Sequence, residues 1–310
     1  MDIVWVLAGL VLLVVGGDVL VKGAVGLSLK LGIPALIVSL TIVAFGTSAP
    51  ELLISVKSAL EGLPGLAIGN VVGSNIANVL LVLGIPALIA PIATRDCESG
   101  RSFVIMMAVM VLFTVLCFLA PLVWWHGLVL LGVLALVIGE NMWSAKKSRD
   151  ADMAEELDEV DPHLPGWKLG LLIVAGIVAL PIGASLLIEG AKGIATAAGI
   201  SDAAIGLTLV AVGTSLPELA TSVMAAIRRQ ADVAMGNVIG SNIFNIGAIM
   251  GVTSFFGPVA VDQSFLDYDL WVMLAVGLLL APFICKIPVL GRVSGALFVL
   301  LYAGYTWTVL

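Results

Sequence analysis

The sequence predicts an all-α polytopic membrane protein, with ten transmembrane helices in two inverted five-helix repeats. Three observations lead there: apolar runs of spanning length, an internal duplication, and a one-sided distribution of basic residues. Of the 310 residues, 61% are hydrophobic and only 11% charged, whereas soluble domains carry about a quarter charged residues. That balance excludes a soluble protein. Apolar runs of about 20 residues, enough to cross a roughly 30 Å hydrocarbon core, recur from end to end.

The first run follows only Asp2, with no basic segment and no small-residue cleavage site, so it is expected to be a retained span and not a signal peptide. Spans are then predicted near 3–23, 33–58, 66–91, 102–120 and 122–145, followed by 168–190, 200–227, 233–257, 268–285 and 289–309. The domain division is residues 1–145 for the first repeat, 146–167 for a linker and 168–310 for the second repeat. Asp150, Asp152, Glu155, Glu156, Asp158, Glu159 and Asp161 give the linker seven acids, equal in number to the net charge of -7. It lacks the ligand spacing and glycine of an EF-hand loop and reads as a solvated connection. Cys97, Cys117 and Cys285 are widely separated and read as small packing residues.

Sliding the chain by 167 residues aligns Gly16–Gly84 with Gly183–Gly251 without a gap, with 30 identities in 69 positions. "LTIVAFGTSAPELLISV" meets "LTLVAVGTSLPELATSV", and "GNVVGSNIANVLLVLG" meets "GNVIGSNIFNIGAIMG". Such self-similarity marks a duplicated unit. Five spans per half is an odd number, so the second half enters the membrane from the opposite side, an architecture common in secondary transporters. With one crossing per span, Lys22, Lys30, Arg95, Arg101, Lys146, Lys147, Arg149, Lys168, Arg228, Arg229, Lys286 and Arg292 share one side. Lys57 and Lys192 share the other. The positive-inside rule then makes the linker cytoplasmic and places both termini outside; the expected location is a prokaryotic cell (inner) membrane.

Chemistry gathers in the two matching spans. Pro50 has no N–H for the carbonyl of Gly46, and Pro217 repeats the relation with Gly213, so each span should kink or break near its middle. Irregular backbone at that depth survives only inside protein or along a wet cavity. Glu51 and Glu218 follow the two prolines, and an intramembrane carboxylate marks a candidate functional site. Thr47 and Thr214 stand four residues earlier and share a helix face with the glutamates if the helix persists. Ser48 and Ser215 lie beside them, and the next spans contribute Ser74 with Asn78 and Ser241 with Asn245. These are hard oxygen donors without His or thiolate, a set suited to Na⁺ or Ca²⁺ and unsuited to Zn²⁺ or Cu⁺. Gly69 with Gly73, and Gly236 with Gly240, form GxxxG pairs that allow close helix approach. Gly16, Gly23, Gly26, Gly183, Gly190 and Gly193 smooth the first span of each half for close packing or for sliding.

The paired "GTSxPE" and "GSNIxN" motifs resemble the α-repeats of the Ca²⁺/cation antiporter superfamily, in particular its sodium/calcium exchanger branch. The resemblance covers essentially the whole chain. It implies a core of spans 2, 3, 7 and 8, with Ca²⁺ at Glu51, Glu218, Thr47 and Thr214. Flanking Na⁺ sites are implied at Ser48, Ser215, Ser74 and Ser241, with the carbonyls of Ala44 and Ala211. It further implies that spans 1 and 6 slide across the core to alternate access. The expected function is therefore Na⁺/Ca²⁺ antiport, with H⁺-coupled cation exchange through the same glutamates as the alternative. The transported ions and the bilayer are the expected partners; no cofactor, nucleic acid or obligate protein partner is expected. Many relatives, potassium-dependent exchangers among them, carry Asp where this chain has Asn245; here both "GSNIxN" motifs end in Asn, so K⁺-independent transport is expected. A channel filter is a further class, and an enzyme a weaker one, because His126 and His163 have no visible nucleophile to serve.

Overall fold

The computed structural model describes residues 1–94, 99–119, 121–148, 164–197 and 213–309, and they are almost entirely helical. In chain order the helices are α1 (Asp2–Leu31), α2 (Ala35–Thr47), α3 (Ala49–Leu60), α4 (Pro64–Ile89) and α5 (Gly100–Phe118). They continue as α6 (Trp124–Ser148), α7 (Gly166–Ala197), α8 (Leu216–Ile227), α9 (Ala231–Thr253), α10 (Phe265–Cys285) and α11 (Arg292–Val309). Among the described residues, seven helices are long and apolar enough to cross a membrane, or eight if the bent pair α2–α3 is one span. Helix α8 is the described end of the expected span 200–227; residues 198–212 lie outside the described residues. Residues 149–163 of the acidic linker also lie outside them.

Burial sorts the helices into layers. The spanning windows of α9 and α4 are 94% and 78% buried, whereas those of α1, α6 and α7 are 28% buried. The first two therefore form the centre, and the apolar outer faces of the others, such as Val11, Leu136 and Val174, suit lipid. Within the centre, α9 sits on α2 through its GxxxG pair. A Cβ on Gly240 would lie 2.6 Å from the Leu40 carbonyl oxygen, and one on Gly236 would lie 2.9 Å from that of Leu36. Close backbone approach of this kind replaces the hydrophobic drive that lipid cannot supply. The matching partners of Gly69 and Gly73 would be residues 203–211, outside the described residues.

The smooth faces of the first spans pack against each other. Asp2 lies by Gly190, Gly9 by Gly183 and Gly16 by Gly176, so α1 and α7 run antiparallel. A Cβ on Gly9 would come within 2.6 Å of the Leu187 backbone nitrogen. The 167-residue shift maps α1 onto α7, and it also maps the short pairings at the loops. Ile92–Ala93 pairs antiparallel with Val289–Leu290, in the register Ile92↔Leu290. Val259, the equivalent of Ile92, bridges to Leu122, the equivalent of Val289.

Helix ends follow local chemistry. Helix α1 closes on Gly32 at φ 65°, with the Ile33 N–H returning to the Ser28 carbonyl at 3.0 Å, a glycine-dependent left-handed cap. Helix α3 stops at Gly62 with φ 73°, and α8 stops at its counterpart Arg229 with φ 56°. The duplicated turn is thus kept even where the side chain disfavours it by roughly 1–2 kcal/mol.

The α1–α7 contact leaves no room for a side chain on either glycine face. Gly183→Leu should lower stability by about 1–3 kcal/mol through overpacking. Gly132→Leu, on an exposed face with nothing within 4 Å of a Cβ, should leave it unchanged; thermal unfolding in detergent measures both.

Candidate functional site

Helices α2 and α3 meet at a 46° bend. The residue at the bend is Ser48, with φ −84° and ψ 7°, and Pro50 falls in the first turn of α3. A first-turn proline loses nothing, because the N–H it lacks would have had no partner there. Ser215 carries φ −85° and ψ 5°, and Pro217 opens α8 in the same way. Each glutamate therefore occupies the first turn of a half-helix whose unpaired N–H groups favour negative charge. Thr47 and Glu51 sit on opposite sides of the bend, so they do not form the continuous helix face that their spacing allows.

Both carboxylates are inside the protein, Glu51 and Glu218 each being 1% exposed. Among the described residues neither makes an ion pair with a base. The Ser48 hydroxyl donates to Glu218 Oε1 at 3.1 Å, so a residue of the first repeat touches the carboxylate of the second. Thr47 Oγ1 lies 3.3 Å from both the Ala44 carbonyl oxygen and Asn237 Oδ1. Asn78 Nδ2 donates to Asn242 Oδ1 at 3.0 Å, joining α4 to α9.

Six of the predicted donors carry a buried oxygen without a hydrogen-bond partner. These oxygens are Glu51 Oε2, Glu218 Oε2, Ser215 Oγ, Ser241 Oγ, Asn78 Oδ1 and Asn245 Oδ1. An unpaired buried polar group costs about 1–3 kcal/mol, which a cation accepting these oxygens would offset. Ser74 is 5% exposed, and Thr214, at 9%, lines a cavity of about 210 Å³ with Pro50, Ser185 and Pro217. Ala211 lies outside the described residues. No trio of His, Cys, Asp and Glu converges among the described residues; the side-chain contact seen at a site carboxylate is the Ser48 hydroxyl on Glu218.

Sequence reasoning missed a clamp that occurs twice. Asn70 Nδ2 donates to the Glu51 carbonyl at 3.0 Å and to Ser55 Oγ at 2.8 Å. Asn237 Nδ2 donates to the Glu218 carbonyl at 3.2 Å and to Ser222 Oγ at 3.1 Å. The signal was present: Asn70 and Asn237 are the first asparagines of the repeated "GNVVGSN" and "GNVIGSN". Their side chains act on the glutamates through the backbone, a relation that spacing alone does not suggest.

The family model described as sodium/calcium exchanger protein matches residues 1–141 and 168–310. The chain belongs to that family. Among its relatives, the candidate antiporter CaxA of Alkalimonas amylolytica is 37% identical over 309 residues, covering 98% of this chain and 97% of that protein. The sodium/calcium exchanger MaX1 of Methanosarcina acetivorans is 36% identical over 334 residues, covering 96% and 95%. A solved structure of the sodium-calcium exchanger NCX_Mj, soaked with zero Na⁺ and Ca²⁺, superposes with TM-score 0.84 at 34% identity, covering 100% of this chain and 99% of that one. The chain is thus an integral membrane protein of a transporter family, not an enzyme.

Removing either clamp should loosen the glutamate it holds. Asn237→Ala and Asn70→Ala are expected to raise the half-saturating Ca²⁺ concentration about tenfold, the scale seen when groups that orient metal ligands are lost. Initial rates of radiolabelled Ca²⁺ uptake into proteoliposomes provide the measurement.

Proposed function

We propose that this protein exchanges Na⁺ for Ca²⁺ across the membrane by alternating access to a midplane site built around Glu51 and Glu218. The observation that carries the reading is the pair of buried, base-free carboxylates, one in the first turn of each half-helix, surrounded by oxygen donors without partners. Two carboxylates neutralise one Ca²⁺ or two Na⁺, so both cargoes compete for the same charge. That competition is the minimum that exchange requires, because a ligand shifts a conformational equilibrium only by its differential affinity.

In this reading Glu51, Glu218, Thr47 and Thr214 hold Ca²⁺. Ser48, Ser215, Ser74 and Ser241 hold flanking Na⁺, with the carbonyls of Ala44 and Ala211 and the side-chain oxygens of Asn78 and Asn245. The Ser48–Glu218 hydrogen bond supports direct coupling, since a hydroxyl assigned to Na⁺ touches a carboxylate assigned to Ca²⁺. The chain folds as ten spans in two inverted repeats, residues 1–145 and 168–310, around a cytoplasmic linker and with both termini outside. The antiparallel course of α1 and α7 and the matched bends at Ser48 and Ser215 support that arrangement.

Reconstituted protein should take up radiolabelled Ca²⁺ when an outward Na⁺ gradient is imposed, and Glu51→Gln or Glu218→Gln should each remove that uptake. Full exchange in both variants would overturn the site. Uptake that follows a pH gradient and ignores Na⁺ would assign the coupling to H⁺. Because Asn78 and Asn245 supply amides in place of a third carboxylate, adding K⁺ at clamped voltage should leave the rate unchanged.

A further inference from the structure

The two junctions at which α1 and α7 meet the core are related by the 167-residue shift, yet they carry different charges. At the first junction Asp18 of α1 meets Arg228, just beyond α8. Arg228 Nε and Nη2 approach Asp18 Oδ1 at 2.6 and 2.5 Å, and Lys22 Nζ lies 2.9 Å from Asp18 Oδ2. The side chains of Arg228 and Asp18 are 20% and 22% exposed, so water screens this pair less than an ordinary surface contact. Beside it, a Cβ on Gly17 would lie 2.9 Å from the Ala220 carbonyl oxygen. Helix α1 is therefore pressed directly onto α8.

At the second junction the equivalents of Asp18, Lys22 and Arg228 are Ser185, Glu189 and Glu61. Ser185 is uncharged, and its hydroxyl returns to the Pro181 carbonyl at 2.8 Å. Glu61 faces Lys57 on its own helix at 3.7 Å. Leu53, the equivalent of Ala220, is 72% exposed. The cavity of about 210 Å³ opens at this junction, reaching from Ser185 and Ile54 to Thr214 and Pro217 beside the glutamates. At the first junction two guanidinium nitrogens meet one carboxylate oxygen across the helices, whereas at the second, among the described residues, Glu61 pairs only within its own helix.

We propose that Asp18 and Arg228 are positioning residues that latch the α1–α7 unit onto the core at one junction, biasing the protein toward the state in which the site is reached through the Ser185 junction. This rests on the alternating-access reading above. In that reading, closing the second junction needs the α1–α7 unit to shift and part the pair. The second junction places Lys57 on α3 and Glu189 on α7 instead, in positions different from those of Arg228 and Asp18, so the two states are not held by equal contacts.

The test uses a full-length chain with Cys97, Cys117 and Cys285 replaced by Ala and a reporter Ile54→Cys in the cavity wall. The rate of reaction with a water-soluble maleimide is measured without an ion gradient. Asp18→Asn and Arg228→Gln should each slow labelling by up to about threefold, because a pair at the upper end of exposed ion pairs shifts the equilibrium about fivefold from a parent that already favours the open junction. Asp18→Glu should keep the parent rate, which a general loss of packing would not. Ser185→Asp with Glu61→Arg builds a pair at the second junction while leaving Asp18 and Arg228 intact, and should slow labelling to a similar degree. A parent rate in both Asp18→Asn and Arg228→Gln overturns the proposal, and so does a parent rate in the Ser185→Asp, Glu61→Arg chain. Labelling needs no transport, so unchanged labelling beside intact exchange discards the latch alone. Shifted labelling without Na⁺-driven uptake keeps the latch and discards the coupling.

Discussion

A buried carboxylate is unfavourable unless protein groups take over the role of water, and this chain buries two of them, neither paired with a base among the described residues. Much of the centre of the molecule answers that constraint. The helices break so that Glu51 and Glu218 fall in first turns, where backbone N–H groups favour negative charge. The most buried helices, α4 and α9, bring Ser, Asn and Gly faces to the glutamates. Asn70 and Asn237 secure the backbone at each one. At the predicted donors the protein leaves oxygen atoms unsatisfied, and oxygen is the element that hard cations require.

The duplication gives two nearly equal half-sites, but one conformation cannot treat them equally. Ser48 donates to Glu218 and Thr47 approaches Asn237, both links running from the first repeat to the second. Thr214, the equivalent of Thr47, instead lines the cavity. The same inequality reaches the periphery, where Asp18 and Arg228 pair while Ser185 and Glu61 do not. The duplicated chain thus carries one junction closed by an ion pair and one that holds a cavity. The α1–α7 glycine ladder joins the two junctions, because it brings the two helices into backbone contact along their length.

Several features were readable because their physics is local. Pro50 and Pro217 foretell a break wherever they occur in a span, and the bend appears within two residues of Pro50. The spacing of Thr47 and Glu51 suggested a shared face, but a four-residue relation needs continuous helix, and Ser48 interrupts it. The asparagine clamps escaped notice for a related reason: their target is a carbonyl 19 residues away, on another helix. The glycines of α1 and α7 read as packing surfaces ahead of sliding ones, and Gly9 does pack against Leu187.

By itself the sequence determined the class of the protein, its duplication, the break in each site helix and the oxygen chemistry of the donors. These depend on side-chain type, on hydropathy and on contacts within a few residues, which are written in order along the chain. Tertiary structure decided which donors meet: Ser48 with Glu218 of the other repeat, Asn78 with Asn242, and Asp18 with Arg228. Those pairs are separated by 170, 164 and 210 positions. The local pattern of a helix carries no term for the partner that its face will find across the bundle.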